Sequence, residues 1–316
     1  MRLGYIGLGK MGYNMAELLL DKGYTVVAYN NTPEPVKKIA QRGAQPADSI
    51  RSLVAALEKP RLVWIMIPYQ AVDSVLQELI PLLTRDDTII DGGNSPYKES
   101  IRRAKAVEEK GIAYLDAGVS GGPSGARNGA CVMIGGKKVA FERYENLFRD
   151  IAVENGYAYV GESGAGHFVK MVHNGIEYGM MQALAEGFTV MRSTGFNLDL
   201  TKIADLYNHR SVIESRLVGW LKNAYEQYGN DLAGISGAAA QSGEGMWTVQ
   251  AAEEFRIPVP VIKEALDFRL QSQKIPSYMG RIISALRNQF GGHEMKEIKG
   301  EALRQSSAEK KVAGSR

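Results

Sequence analysis

Along the first half of the chain, short runs of apolar residues alternate with segments in which apolar positions recur every three or four residues. The runs at 2–7, 25–30, 61–67, 87–92, 112–117 and 131–136 read as strands, and the stretches 12–22, 33–42, 70–83 and 96–110 between them as helices. Strands that are apolar almost throughout are covered on both faces. Alternating with helices, they predict a parallel sheet with helices on either side. From about residue 164 the strand pattern stops. Helical patterns follow over 164–194, 200–208, 213–228, 244–255, 259–273 and 275–290, with breaks at "STGFN", at "IPVPV" and near Pro276. The expected architecture is α/β: a doubly wound parallel sheet over 1–163, an all-α domain over 164–299, and a polar tail over 300–316 that frays.

One helical segment, "GAGHFVKMVHNGIEYG" (164–179), breaks the usual pattern. Val169, Val172, Ile176 and Ala183 read as its buried stripe. Lys170, His173, Asn174, Glu177 and Tyr178 form a second stripe at i, i+3, i+4, i+7 and i+8. Lys170 and Glu177 are too far apart for an ordinary intrahelical ion pair, which needs a spacing of three or four. An amine, an imidazole, an amide, an acid and a phenol gathered on one face suggest a reaction site.

Composition narrows the setting. A length of 316 residues suggests about two domains, and 45% hydrophobic residues allow a sizeable core. A net charge of +3 makes no general case for nucleic acid or an anionic membrane as partner. The single cysteine, Cys131, reads as a small buried hydrophobe and fits a reducing compartment. No apolar run reaches the roughly 20 residues that span a bilayer. The first residues lead into a strand without a signal-peptide layout, so a cytoplasmic, soluble protein is expected. His167, His173, His209 and His293 show no zinc-ligand spacing, and no metal is expected.

"GLGKMG" (Gly7, Leu8, Gly9, Lys10, Met11, Gly12) is a G-x-G-x-x-G between the first strand and the first helix, the context in which that motif binds a dinucleotide in a Rossmann-type sheet. Gly7 makes the turn, Gly9 lets backbone approach a pyrophosphate at the helix N-terminus, and Gly12 permits close packing. About 20 residues on, where such sites carry an acid for the ribose or an arginine for a 2′-phosphate, the chain has Asn30, Asn31 and Thr32. A neutral amide can bond a ribose hydroxyl. NAD is therefore expected over NADP, with Lys37, Lys38 and Arg42 as the nearby cations that could favour NADP. Ile67, Pro68 and Asn94 complete the candidate cofactor contacts.

"GLGKMGYNMA", "DGGNS", "DAGVSGGPSGARNGACVMIGG" and "KMVHNGIEYG" together resemble the 6-phosphogluconate dehydrogenases of the β-hydroxyacid dehydrogenase superfamily, in the short form that lacks a duplicated helical half. The first and third blocks are shared across the superfamily, whereas "KMVHNGIEYG" is specific to this branch. The resemblance implies that Asn94, Ser120, Gly121, Gly122, His173 and Asn174 contact the sugar acid. It also implies Lys170 as general base, Glu177 as general acid and Tyr178 as a phosphate contact. Arg287 and His293 of "RNQFGGH" match a segment that reaches the neighbouring subunit's site, and Arg269 matches a phosphate-binding arginine. Two departures stand out. Ser242 of "SGEGMWT" replaces a phosphate-binding lysine, and Asn31 replaces the arginine of NADP-using members.

The implied reaction is oxidation at C3 of 6-phosphogluconate with hydride transfer to a nicotinamide cofactor, followed by loss of C1 as carbon dioxide to leave ribulose 5-phosphate. A homodimer, or a dimer of dimers, is implied as well. The competing expectation is a dehydrogenase acting without decarboxylation on a small acid such as 3-hydroxyisobutyrate or tartronate semialdehyde. A non-catalytic dinucleotide-binding regulator is a third, but it would have no use for Lys170 and Glu177 together.

Overall fold

The computed structural model describes residues 1–292. His293 and the expected tail lie outside the described residues. The chain divides into two compact units, Met1–His173 and Asn174 onward, and the division falls inside one long helix.

The first unit is built on β1 (Arg2–Ile6), β2 (Thr25–Tyr29), β3 (Gln45–Pro46), β4 (Leu62–Ile65), β5 (Thr88–Asp91), β6 (Ala113–Ser120), β7 (Ala130–Gly136) and β8 (Ala152–Gly161). Helices α1 (Lys10–Asp21), α2 (Pro33–Gln41), α3 (Ile50–Ala55), α4 (Tyr69–Leu79), α5 (Tyr97–Glu108), α6 (Gly122–Asn128) and α7 (Lys138–Ile151) connect them. The strand order is β3-β2-β1-β4-β5-β6-β7-β8. The chain runs outward from β1 in both directions, so the crevice between β1 and β4 is the topological switch point where open α/β sheets bind ligands. Two apolar clusters cover the two faces. One contains Leu3, Tyr5, Met15, Trp64 and Phe148; the other contains Ile6, Val27, Val63, Ile65 and Ile89. This is why the strand runs are apolar throughout.

The sheet departs from the expected parallel one at a single pairing, because β7 runs antiparallel to β6. Only residues 121–129 connect them, too few for a parallel crossover. β7 and β8 are parallel, joined through α7. Neither β3 nor β8 stands out in the apolar pattern. β3 is a polar two-residue edge strand, and β8 is a largely exposed edge strand interrupted at Asn155, where φ is +57°. Cys131, expected to be buried, is exposed, because it lies on the uncovered side of β7.

The second unit contains α9 (Leu200–Tyr207), α10 (Arg216–Tyr228), α11 (Glu244–Glu254), α12 (Pro260–Ser272) and α13 (Tyr278–Gly291), together with most of α8 (Ala165–Arg192). Asp199, Ser215 and Ser277 cap α9, α10 and α13 by accepting a backbone N–H three residues on. Phe188, Leu221, Tyr225, Ile282 and Leu286 form the core. Among the described residues no helix is long and apolar enough to cross a membrane.

Helix α8 reverses the expectation for its faces. Ile176 is 53% exposed, and Val169 and Ala183 are exposed too, whereas Lys170 and Tyr178 are buried and His173, Asn174 and Glu177 are half-buried. The covered face is the polar one.

In the second unit α13 starts against the backbone of the loop before α11. A Cβ on Gly280 would lie 1.7 Å from the Gly237 carbonyl oxygen, a contact that no side-chain rotation relieves. Gly280→Ala is therefore expected to destabilise by about 1–3 kcal/mol, the usual range for overpacking, measured by denaturant unfolding.

Candidate active site

The glycine loop sits at the switch point. Gly7 has φ +101°, and a Cβ there would lie 2.3 Å from the Met66 oxygen and 2.5 Å from Ile67. A Cβ on Gly12 would lie 2.1 Å from the Gly7 oxygen, whereas one on Gly9 would meet open space. The turn and the packing are thus closed to side chains while the surface above Gly9 is open, which fits a pyrophosphate at the N-terminus of α1. Asn30 holds the loop: its Oδ1 accepts from Leu8 N at 2.9 Å, and its Nδ2 donates to Thr32 Oγ1 at 2.8 Å and Thr32 O at 3.2 Å. The amide expected to meet the ribose is committed to bracing, and the exposed Asn31 stands beside it. Lys10 is exposed, Met11 half-buried, and Ile67 and Pro68 follow β4 at the mouth of the crevice. Arg42 is engaged elsewhere, with Glu17 at 3.2 Å and Asp21 at 3.3 Å.

Asn94 follows β5 in "DGGNS". Asp91, fully buried, fixes that loop on both sides of it. Asp91 Oδ1 accepts from Gly93 N at 3.1 Å, and Oδ2 accepts from Ser95 Oγ at 2.9 Å and Tyr114 OH at 3.0 Å. Arg103 donates to the same Ser95 hydroxyl at 3.1 Å.

The start of α8 is fixed by Asp116 on β6. Its two carboxylate oxygens accept from Gly164 N at 2.7 Å and His167 N at 2.8 Å, an anion at a helix N-terminus. The backbones there meet without room for side chains. A Cβ on Gly166 would lie 2.4 Å from the Asp116 carbonyl oxygen, and one on Gly135 would lie 2.6 Å from Gly166 N. One turn further, a Cβ on Gly118 would lie 2.4 Å from the Lys170 Cβ. Lys170, 9% exposed, approaches His173 Nδ1 at 3.4 Å, and His173 Nε2 lies 3.2 Å from Ser120 Oγ. Gly121 and Gly122, both at positive φ, carry the chain from β6 into α6 beside Ser120.

In the second unit the phenol of Tyr178 is packed against a buried guanidinium. The Arg269 guanidinium lies over its ring at 3.4 Å from the centroid, and Ser242 N donates to its hydroxyl at 3.4 Å. Gly245 permits this packing, since a Cβ there would lie 2.5 Å from the ring. Arg269 is 2% exposed, and its Nε has no hydrogen-bond acceptor among the described residues. Burial pulls it down to about 10, with Tyr178 opposing that change and Arg287 adding to it. Burial also lowers Arg287, which is itself 9% exposed. Arg287 stands within electrostatic reach of Tyr178, Glu244 and Glu177. Asn174 and Glu177 are half-buried on the covered face of α8.

Sequence reasoning missed Asp91, Asp116 and Glu244. A lone acid inside an apolar strand was the available signal for Asp116. For Glu244 the signal was its place two residues after Ser242.

A glycine loop at a switch point, an asparagine loop beside it and a lysine-bearing helix leading into a helical unit define a dinucleotide-binding dehydrogenase of the two-unit α/β–α class. The family profile for the NAD binding domain of 6-phosphogluconate dehydrogenase matches residues 2–161, and that for the 6-phosphogluconate dehydrogenase C-terminal domain matches 166–277. The chain belongs to the 6-phosphogluconate dehydrogenase family. YqeC of Bacillus subtilis is 47% identical over 293 residues, 93% of this chain and 98% of that protein. The NAD(+)-dependent, decarboxylating 6-phosphogluconate dehydrogenase of Haloferax volcanii is 42% identical, with 93% and 98% covered. Among solved structures, Plasmodium falciparum 6-phosphogluconate dehydrogenase superposes with a TM-score of 0.77 at 32% identity, over 87% of this chain and 63% of that one.

The contact between Gly118 and the Lys170 stem gives a direct test. Gly118→Ala is expected to lower turnover on the order of a hundredfold, the scale of an ångström-level misplacement, while circular dichroism stays native. Native-like turnover would show that Lys170 has slack.

Proposed function

We propose that the chain catalyses the oxidative decarboxylation of 6-phosphogluconate to ribulose 5-phosphate and carbon dioxide. Lys170 is the general base and Glu177 the general acid. The observation that carries the phosphorylated substrate is Arg269: a buried guanidinium with an unmet donor, beside a second buried guanidinium, suits an anion. A three- or four-carbon acid has no distal phosphate to place there. Arg269, Arg287 and Tyr178 take that phosphate, while Asn94, Ser120, Gly121, Gly122, His173 and Asn174 hold the sugar acid.

The loop Gly7–Gly12, with Asn31, Thr32, Ile67 and Pro68, holds the dinucleotide, which supplies the hydride acceptor when bound. Lys170 takes the proton of the C3 hydroxyl, which requires a neutral amine when the substrate arrives; burial is the general route to that state. As an ammonium it then polarises the C3 carbonyl, so that C1 departs as carbon dioxide without a metal. Glu177 then gives a proton to the carbon left behind, C2 of the substrate, which becomes C1 of ribulose 5-phosphate. Seven residues of helix separate their Cα atoms by about 10 Å along the axis, so the two long side chains must converge to reach neighbouring carbons. We place the working form as a homodimer or dimer of dimers in the cytoplasm. The homodimer rests on the resemblance of the segment from Arg287 to His293.

NAD is the preferred cofactor. The supporting observations are the neutral Asn31 and an Arg42 already paired with two carboxylates.

Incubation with each of two cofactors and with 6-phosphogluconate, gluconate or 3-hydroxyisobutyrate, with gas release recorded, tests the reading. NAD reduction matched by carbon dioxide from 6-phosphogluconate is expected. Reduction without gas, or with hydroxyisobutyrate alone, would sink it. In the same assay Lys170→Ala is expected to lose several orders of magnitude in kcat with the fold intact. Asn31→Arg is expected to shift preference toward NADP, because a guanidinium suits a 2′-phosphate; an unchanged NAD/NADP ratio of kcat/KM would remove Asn31 from cofactor selection.

A further inference from the structure

In the first unit the loops after β4 and β5 are clamped together at two points. At the first, backbone meets backbone: a Cβ on Gly93 would lie 2.8 Å from the Ile67 carbonyl oxygen, which leaves no room for a side chain. The second runs through Arg103 of α5, which is 2% exposed. Its Nη1 donates to Ser95 Oγ at 3.1 Å, and its Nη2 donates to the Tyr69 carbonyl oxygen at 2.9 Å. Asp73 on α4 accepts along another edge of the guanidinium, from Nε to Oδ1 at 3.1 Å and from Nη2 to Oδ2 at 3.1 Å. This two-point grip fixes the plane of the fork. The Ser95 hydroxyl is fixed in turn, because it accepts from Arg103 and donates to Asp91 Oδ2 at 2.9 Å. Pro68 and Asn94 each stand between two clamped neighbours.

We propose that Arg103 is a positioning residue: its guanidinium holds residues 67–69 and 93–95 at one spacing, so that Asn94 keeps a fixed place relative to Ile67 and Pro68. This rests on the reading that Asn94 holds the sugar acid while Ile67 and Pro68 hold the dinucleotide. It deepens that reading by naming the group that sets the distance between the two. Hydride transfer depends steeply on that distance, since an ångström of misplacement costs on the order of a hundredfold in rate. A lysine at position 103 would keep the charge and lose the fork, because an ammonium is a point charge on a flexible stem. Arg102, its neighbour on α5, is the comparison. It binds the same Asp73 at 2.7 Å, but it is 54% exposed, and its hydrogen bonds among the described residues go to Asp73 and Glu99 rather than to either loop.

The test is a double-mutant cycle on the full chain, read as kcat/KM for 6-phosphogluconate with saturating NAD. Arg103→Lys is made in the parent and in an Asn94→Ala background, and Arg102→Gln is made in both as the control. Arg103→Lys is expected to lower kcat/KM about tenfold in the parent and less than about twofold in the Asn94→Ala background, where nothing is left to position. Arg102→Gln stays within about twofold in both, as an exposed ion pair allows. Equal losses for Arg103→Lys in the two backgrounds overturn the proposal, because an arginine that only supports the fold lowers activity whether or not Asn94 is present. An Arg103→Lys variant as active as the parent overturns it too. Should Arg103→Lys fail to fold, Ser95→Ala, which cuts the link at the Asn94 end, takes its place in the cycle and the same outcomes decide. Failure of the underlying reading looks different: the parent itself releases no carbon dioxide from 6-phosphogluconate, and the proposal falls with it.

Discussion

The structure depends on how the first turn of α8 is seated. The two Asp116 oxygens hold Gly164 N and His167 N, and Gly135 and Gly166 let the helix backbone press directly on the strands. A helix is a rigid ruler with a rise of about 1.5 Å per residue. Fixing its first turn fixes the height of Lys170, and the stem of Lys170 is wedged against Gly118. Every candidate chemical group of the helix is counted from that anchor. The arrangement favours backbone contact over side-chain packing because hydrogen bonds and close-packed glycines leave less play than a bed of leucines.

The loops after β1 and β5 obey the same logic. Each follows the C-terminal end of a parallel strand and is held by a buried or half-buried polar side chain: Asn30 for the glycine loop, Asp91 for the asparagine loop. Tyr114 and Arg103 brace the second from neighbouring elements. The residues proposed to touch ligands stand on loops whose own conformation has already been fixed, so little ordering entropy remains when a ligand arrives.

Much of this was legible in the chain. The apolar runs located six strands and the helical periodicity located most helices, since both signals arise from burial on two faces or on one. The signal failed where burial is partial: β8 is an edge strand with polar insertions, and β3 is two residues long. The strand β7 was found but not its direction, which depends on the length of the connection rather than on the strand. The most instructive failure is α8. Its polar stripe was recognised as chemistry, yet Val169 and Ile176 were assigned to the core by the rule that water lies on the polar side. That rule assumes a polar face meets solvent. In α8 Lys170 and Tyr178 are buried, while Val169 and Ile176 are left outside.

Charge is the other property that counting cannot read. The chain carries a net charge of +3, which says nothing about which cations remain available. Arg42 and Arg127 look like candidates for an anionic ligand near the cofactor loop, but Glu17 and Asp21 hold both. Arg269 and Arg287, few in number and far along the chain, are buried together, and burial lowers both. A paired surface arginine contributes little to stability and less to recognition. Arg269, stacked on Tyr178 with its Nε donor unmet, is the cation proposed above to meet the substrate's phosphate.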